Sequence, residues 1–219
     1  MPISKPDKSD KCKADYQEPS SDLIRQAAQV IHNGGVVVYP TRALYGLGAD
    51  IFNAKAVRRI YTIKKRPEHK PLSVLVKNRK ALDTLVTTVP TDAAILIERF
   101  WPGKITLVLE ASAIVPDYLT SGTGKIGVRC PGHPVASALV KAAANPITAT
   151  SANLSGRGGC AHVSQLDASV RETADMILDG GMLHGGTGST VVDVTADCPV
   201  ILREGSIATK KILAALRKE

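Results

Sequence analysis

Between residues 21 and 217 the chain alternates short apolar runs with amphipathic stretches of helical period, and this alternation restricts its fold more than any other feature. Ser21 is placed to cap a helix whose Leu23, Ile24, Ala27, Val30 and Ile31 share one face, and Asn33-Gly34-Gly35 supplies a left-handed stop. An apolar strand over 36–39 follows at once. The same pattern predicts helices over 54–65, 80–86, 92–100, 134–143 and 209–217. It predicts strands over 72–76, 105–109, 126–129, 147–150, 176–178, 191–194 and 200–203. Helices and strands that interleave in this way give a layered α/β domain built on a mixed, twisted sheet flanked by helices. Residues 21–219 read as one domain without repeat or linker, and the polar, charge-balanced residues 1–20 read as a disordered tail.

Charge is concentrated. The net charge of +8 is more than accounted for by residues 55–80, which hold ten Lys or Arg and one acid, Glu68. A field focused in this way attracts phosphate, on a nucleotide or on nucleic acid. Arg58 and Arg59 fit a solvated helix face, but Pro67 ends the helix and sends Lys64-Lys65-Arg66 toward a loop. No run approaches the ~18 apolar residues of a membrane span, and the first residues hold no apolar block of signal-peptide type, so the expected compartment is the cytoplasm. Cys12, Cys130, Cys160 and Cys198 form no C-x-x-C pair, which points to inert thiols, and no metal-ligating cluster is expected.

Several familiar signatures are excluded by context. Gly122-Thr-Gly-Lys-Ile-Gly127 has the letters of a dinucleotide fingerprint but leads into a strand where the fingerprint must open a helix. The same segment lacks the upstream glycine and following hydroxyl of a P-loop. What remains are three strand ends that run into glycine- and hydroxyl-rich loops: residues 39–48, residues 148–156 and residues 185–190. Three such loops beside a focused basic segment indicate a phosphate-bearing small ligand on an open, basic, concave surface.

At these residues the chain resembles the YrdC-type L-threonylcarbamoyladenylate synthases. The matching blocks are Tyr39-Pro-Thr with Tyr45-Gly-Leu-Gly, Lys64-Lys-Arg-Pro67 with Pro71-Leu72, Phe100-Trp-Pro-Gly with Thr106-Leu-Val-Leu, Gly127-Val-Arg with His133-Pro, Thr150-Ser-Ala-Asn-Leu-Ser-Gly, Ser189-Thr-Val-Val-Asp, and Leu202-Arg with Gly205. The resemblance implies a transferase that joins L-threonine, bicarbonate and ATP into threonylcarbamoyl-AMP and pyrophosphate, with Mg²⁺ accompanying the nucleotide. The product would pass to tRNA threonylcarbamoyl-transfer machinery. No side-chain nucleophile is required; fixed cations and N–H groups position two anions against each other.

Residue by residue, the resemblance gives Lys64, Arg66, Ser151 and Asn153 the catalytic role. It places Lys64, Arg66, Lys70, Lys125, Ser151 and Arg203 on ATP, and Thr41, Arg129, Ala149 and Ser189 around threonine. Trp101 reads as a core anchor and His133 as a helix-start residue. Arg42 and Ala43 depart from the family, which has an acid and a threonine there, so a charge is reversed and a hydroxyl lost at the threonine end. Leu75 stands where some relatives have a polar residue. The additional C-terminal domain of longer relatives is not expected. Two other functions use the same residues: an RNA- or tRNA-binding module, against which 4% aromatic content argues where bases are stacked, and an altered paralogue, which retention of both Lys64-x-Arg66 and Ser151-x-Asn153 disfavours.

Overall fold

The computed structural model describes residues 11–13 and 19–217. Two mixed sheets form the frame where one was expected. The first contains β1 (Lys11–Lys13), β9 (Met176–Asp179), β2 (Val37–Pro40), β3 (Tyr45–Gly48) and β8 (Thr150–Ser151), in that spatial order. The second has the order β11 (Val200–Arg203), β10 (Thr190–Asp193), β5 (Ile105–Glu110), β6 (Lys125–Arg129), β4 (Val74–Leu75) and β7 (Ile147–Thr148). The run expected as a single strand over 147–150 is therefore divided. Its first half pairs with β4, its second half with β3, and Ala149 lies at the crossing between the two sheets.

Burial follows the two-residue period of each strand. In the first sheet, Val37 and Tyr39 pack with Ile24, Ala27 and Ile31 of α1 (Ser21–His32) and Val135 and Leu139 of α6 (Pro134–Ala142), whereas Val36 and Val38 join the larger core. β2 is thus covered on both faces and reads as an unbroken apolar run. In the second sheet Ile105, Leu107 and Leu109 are buried in the larger core, while Val108 is half-buried and Glu110 exposed. Register puts Val108 opposite Gly127 and Glu110 opposite Lys125, so the second sheet keeps one face open. That open face supplies the floor of a cleft.

The remaining helices are α2 (Ala54–Lys64), α3 (Arg79–Leu85), α4 (Thr91–Phe100), α5 (Asp117–Thr120), α7 (Ala168–Thr173) and α8 (Thr209–Leu216). Asn53 caps α2 through its side chain, accepting from the Ala56 N–H at 3.0 Å. Ser21 is not a cap but the first residue of α1, one position after the N-cap Ser20. Gly34 takes the left-handed conformation expected after α1, with φ of 83°. The segment 122–127 leads into β6, as its context required. Trp101 packs against the larger core, and His133 sits at the N-cap of α6.

β3, α5 and α7 were not expected from periodicity. In β3 the reason is steric. A Cβ at Gly46 would stand 2.8 Å from Cζ of Tyr39 and one at Gly48 3.0 Å from its Cε1, so the glycines read as loop residues make room for a cross-strand tyrosine ring. Of the tail expected to be disordered, Lys11–Lys13 instead pairs in parallel with β9, satisfying backbone groups at an edge strand; most of the rest of that expectation lies outside the described residues. Among the described residues no helix is long and apolar enough to cross a membrane.

Candidate active site

A cleft of about 480 Å³ opens where the two sheets meet. Its first wall is the end of α2. The helix terminates at Lys64, and Lys65 takes a left-handed conformation (φ 48°), reversing the chain so that Lys64 and Arg66, two positions apart, both line the cleft. Lys64, expected in a loop, is instead the last residue of the helix and only 2% exposed. Its ammonium donates to the carbonyls of Ser151 and of Asn153, the latter at 2.7 Å. Burial, and then the neighbouring charge of Arg66, pull its pKa down to about 8, which leaves it charged at neutral pH. Arg66 is braced by the carbonyls of Lys70 (3.1 Å) and Pro71 (2.8 Å).

The second wall is the strand that changes sheets. The Ala149 N–H donates to the Ser73 carbonyl at 2.7 Å, fixing the crossing point. Beyond it, Asn153 Nδ2 donates to the carbonyls of Leu154 (2.8 Å) and Arg157 (2.6 Å), while its buried Oδ1 meets no donor in the protein. Two carbonyl partners require the NH2 group on that side, which fixes the amide orientation. The only uncommitted polar atom of Asn153 is therefore an acceptor. It matches a ligand N–H or O–H and not a deprotonated phosphate oxygen.

The third wall joins the start of β5 and β10 to the end of β6 and β11. Arg129 donates from Nε to the Gly103 carbonyl at 2.7 Å, so the turn after Trp101 orients its guanidinium. The Ser189 and Thr106 hydroxyls bond each other at 2.8 Å, and Arg203 Nη2 donates to the Ser189 carbonyl at 2.7 Å. This packing demands glycine at 205, where a Cβ would lie 2.4 Å from the Gly188 carbonyl oxygen. Thr41 closes the rim, its hydroxyl bonded to the Leu44 carbonyl.

Electrostatics set this cleft apart. Among the described residues, Lys64, Arg66, Arg129 and Arg203 have no salt-bridge partner. Burial lowers the pKa of all three guanidinium groups, and the charge of Arg203 contributes to lowering those of Arg66 and Arg129. The one carboxylate in the lining, Glu204, accepts from the backbone N–H and hydroxyl of Thr209. Four cations that depress or crowd one another without a counter-charge form a site for a polyanion.

Nine of the residues expected from sequence line this cleft: Thr41, Lys64, Arg66, Arg129, Ala149, Ser151, Asn153, Ser189 and Arg203. Lys70 and Lys125 do not. Lys70 is exposed, and its backbone carbonyl rather than its ammonium serves the site by bracing Arg66. Lys125 stands at the opposite end of β6 from Arg129, about 13 Å of strand away, where it meets the Asp193 carboxylate at 3.2 Å and the Thr195 hydroxyl at 2.6 Å. Ser73 and Arg157 line the cleft without having been singled out. Their local sequence carries no signal for it, because the crossing of two sheets brings them there.

Comparison with known proteins finds relatives of the same fold. The family model Sua5/YciO/YrdC, described as "Telomere recombination", matches residues 29–205. A threonylcarbamoyl-AMP synthase of Pyrococcus abyssi is 38% identical over 189 residues, covering 86% of this chain and 56% of that protein. The crystal structure of P. abyssi Sua5 complexed with L-threonine superposes with a TM-score of 0.87 at 36% identity, over 93% of this chain and 60% of the other. Escherichia coli YciO matches with a TM-score of 0.82 at 32% identity, over 91% of this chain and 96% of its own. The chain thus spans little more than half of the Pyrococcus protein and nearly all of YciO.

Proposed function

The chain belongs to the Sua5/YciO/YrdC family, and on that premise we propose that its cleft forms threonylcarbamoyl-AMP and pyrophosphate from L-threonine, bicarbonate and ATP. One observation carries the reading: four cations, Lys64 buried, Arg66 and Arg129 half-buried and Arg203 exposed at the rim, converge on one concave site, and among the described residues no carboxylate is paired to any of them. The threonine ammonium and bicarbonate give a carbamate, water and a proton. A carbamate oxygen then bonds to the α-phosphorus while the bond from that phosphorus to the bridging oxygen breaks, and pyrophosphate leaves with the electron pair.

Each wall has a part in this step. Arg66 and Arg203 offset charge on the phosphates, as does the ammonium of Lys64 while it holds the 151–153 turn in shape. Arg129 takes the threonine carboxylate in a two-pronged contact, with its Nε already anchored to Gly103. The free acceptor of Asn153 suits the carbamate N–H. Thr41, Ala149 and Ser189 border threonine, and Ser151 borders the reacting oxygens. Among the described residues no group of three His, Cys, Asp or Glu could hold a metal ion, so the chain does not fit a resident site, and Mg²⁺ would enter bound to the triphosphate. The product is destined for tRNA threonylcarbamoyl-transfer enzymes, a cytoplasmic reaction.

An RNA-binding module is less well supported. Two cations of the basic segment are neutralised on the surface, Arg59 by Asp175 at 2.8 Å and Arg79 by Asp83 at 3.1 Å, six more are exposed without a salt bridge among the described residues, and Lys64 and Arg66 line the cleft, whose concavity suits a small ligand better than a nucleic-acid backbone. The test is pyrophosphate release from ATP. Release that requires both bicarbonate and L-threonine is expected; equal release without threonine, or none with it, rejects the reading.

A further inference from the structure

Past Arg129 the cleft continues into an annex of about 440 Å³, walled by residues 41–44, Lys104 and the glycine-rich residues 185–189. Arg42, Lys104, Arg129 and His184 line it, and among the described residues no carboxylate does. Among the described residues neither Arg42 nor Lys104 forms a salt bridge. The combined field is felt by the buried His133: burial first, then Arg42, Arg129 and His184, hold its imidazole down at about 4.

On the synthase reading, Arg129 is the anchor for the amino-acid carboxylate, and a threonine side chain ends in a neutral hydroxyl. Two more cations in a chamber opening off that anchor exceed what threonine can use, and they complement a second negative group. The chamber's concavity, closed on one side by the 185–189 loop, suits a small ligand better than the side of a nucleic-acid helix.

We propose that the annex is an oxyanion subsite at the amino-acid end of the cleft, admitting an α-amino acid whose side chain ends in a carboxylate or a phosphate. The inference rests on the synthase reading for the role of Arg129 alone. Its first test needs no turnover: calorimetric titration of the full chain with O-phospho-L-threonine, L-glutamate and L-threonine, in the wild type and in Arg42→Glu and Lys104→Ala. O-Phospho-L-threonine is expected to bind at least tenfold more tightly than L-threonine. That ratio should fall tenfold or more in Arg42→Glu and several-fold in Lys104→Ala, with unchanged circular dichroism. Equal affinities in the wild type, no binding of any of the three, or a ratio that neither substitution moves overturns the subsite. Pyrophosphate release separates the two readings. Threonine-dependent release without calorimetric selectivity removes the subsite and keeps the synthase; selectivity without release from any amino acid supports the subsite and removes the synthase.

Discussion

Arg129 and Lys125 stand on the same strand, on the same face and at opposite ends, and they have opposite fates. Lys125 meets Asp193 at 3.2 Å and Thr195 at 2.6 Å, and the Asp193 carboxyl, though burial pushes it up, is held below its ordinary value by Thr195 and Lys125. Arg129 has only a backbone carbonyl on Nε and is crowded by the charge of Arg203. A cation with a fixed counter-ion fastens strands together; a cation denied one is held ready for a ligand. The family resemblance implied a nucleotide or substrate role for both, and the difference between them lies in what the neighbouring strand β10 and the residues after it supply.

The comparison can be broken most forcefully at the cleft end. Arg129→Ala and Arg66→Ala should each lower kcat/KM for pyrophosphate release by about 10²–10³-fold, with melting temperatures close to wild type. Lys125→Ala should leave kcat/KM within about threefold, and a large loss there would erase the distinction between the two ends.

A second contrast concerns His133, which burial, and then the charges of the cationic end, keep neutral. Its folded pKa of about 4 lies below the ordinary 6.5, so the unfolded chain binds the proton first as pH falls. Stability should therefore decrease from about pH 6.5 down to about 4, by up to about 3 kcal/mol. Denaturant titrations across that window, repeated on His133→Gln, should show a flatter pH slope in the variant; parallel curves would sink the assignment.

Lys64 sharpens the comparison, being both structural and at the site. Lys64→Met should cost about 1–3 kcal/mol by stranding the Ser151 and Asn153 carbonyls, in addition to its loss of turnover. In the wild type, ATP affinity should weaken as pH rises through about 8, where Lys64 gives up its proton. Unchanged affinity between pH 7 and 9 would show that its charge does not act on the nucleotide. The smallest effect belongs to the far end: Asp193→Asn should cost no more than about 1 kcal/mol, read as a small shift in the denaturation midpoint.

Much of the fold was legible because it is local. Helical periodicity placed α1, α2, α4, α6 and α8, and glycine or proline marked their ends. The two-residue spacing of Lys64 and Arg66 around a helix end, and of Ser151 and Asn153 after a strand, was visible in the same way. β3 was hidden because its glycines answer to Tyr39, a residue of the neighbouring strand. The burial of Lys64 was hidden because its partners lie 87 and 89 residues away.

By itself the sequence determined the α/β class, the punctuation of its elements and the presence of a concentrated positive charge, since each depends on neighbours within a few positions. Only the tertiary structure decided that residues 147–151 divide between two sheets, that Lys125 is neutralised by Asp193, 68 residues distant, and that Arg66, Arg129 and Arg203 have no counter-ion among the described residues around one cleft. Strand register and sheet crossing bring distant residues within the few ångströms over which charges pair, and no local pattern encodes which of them will meet.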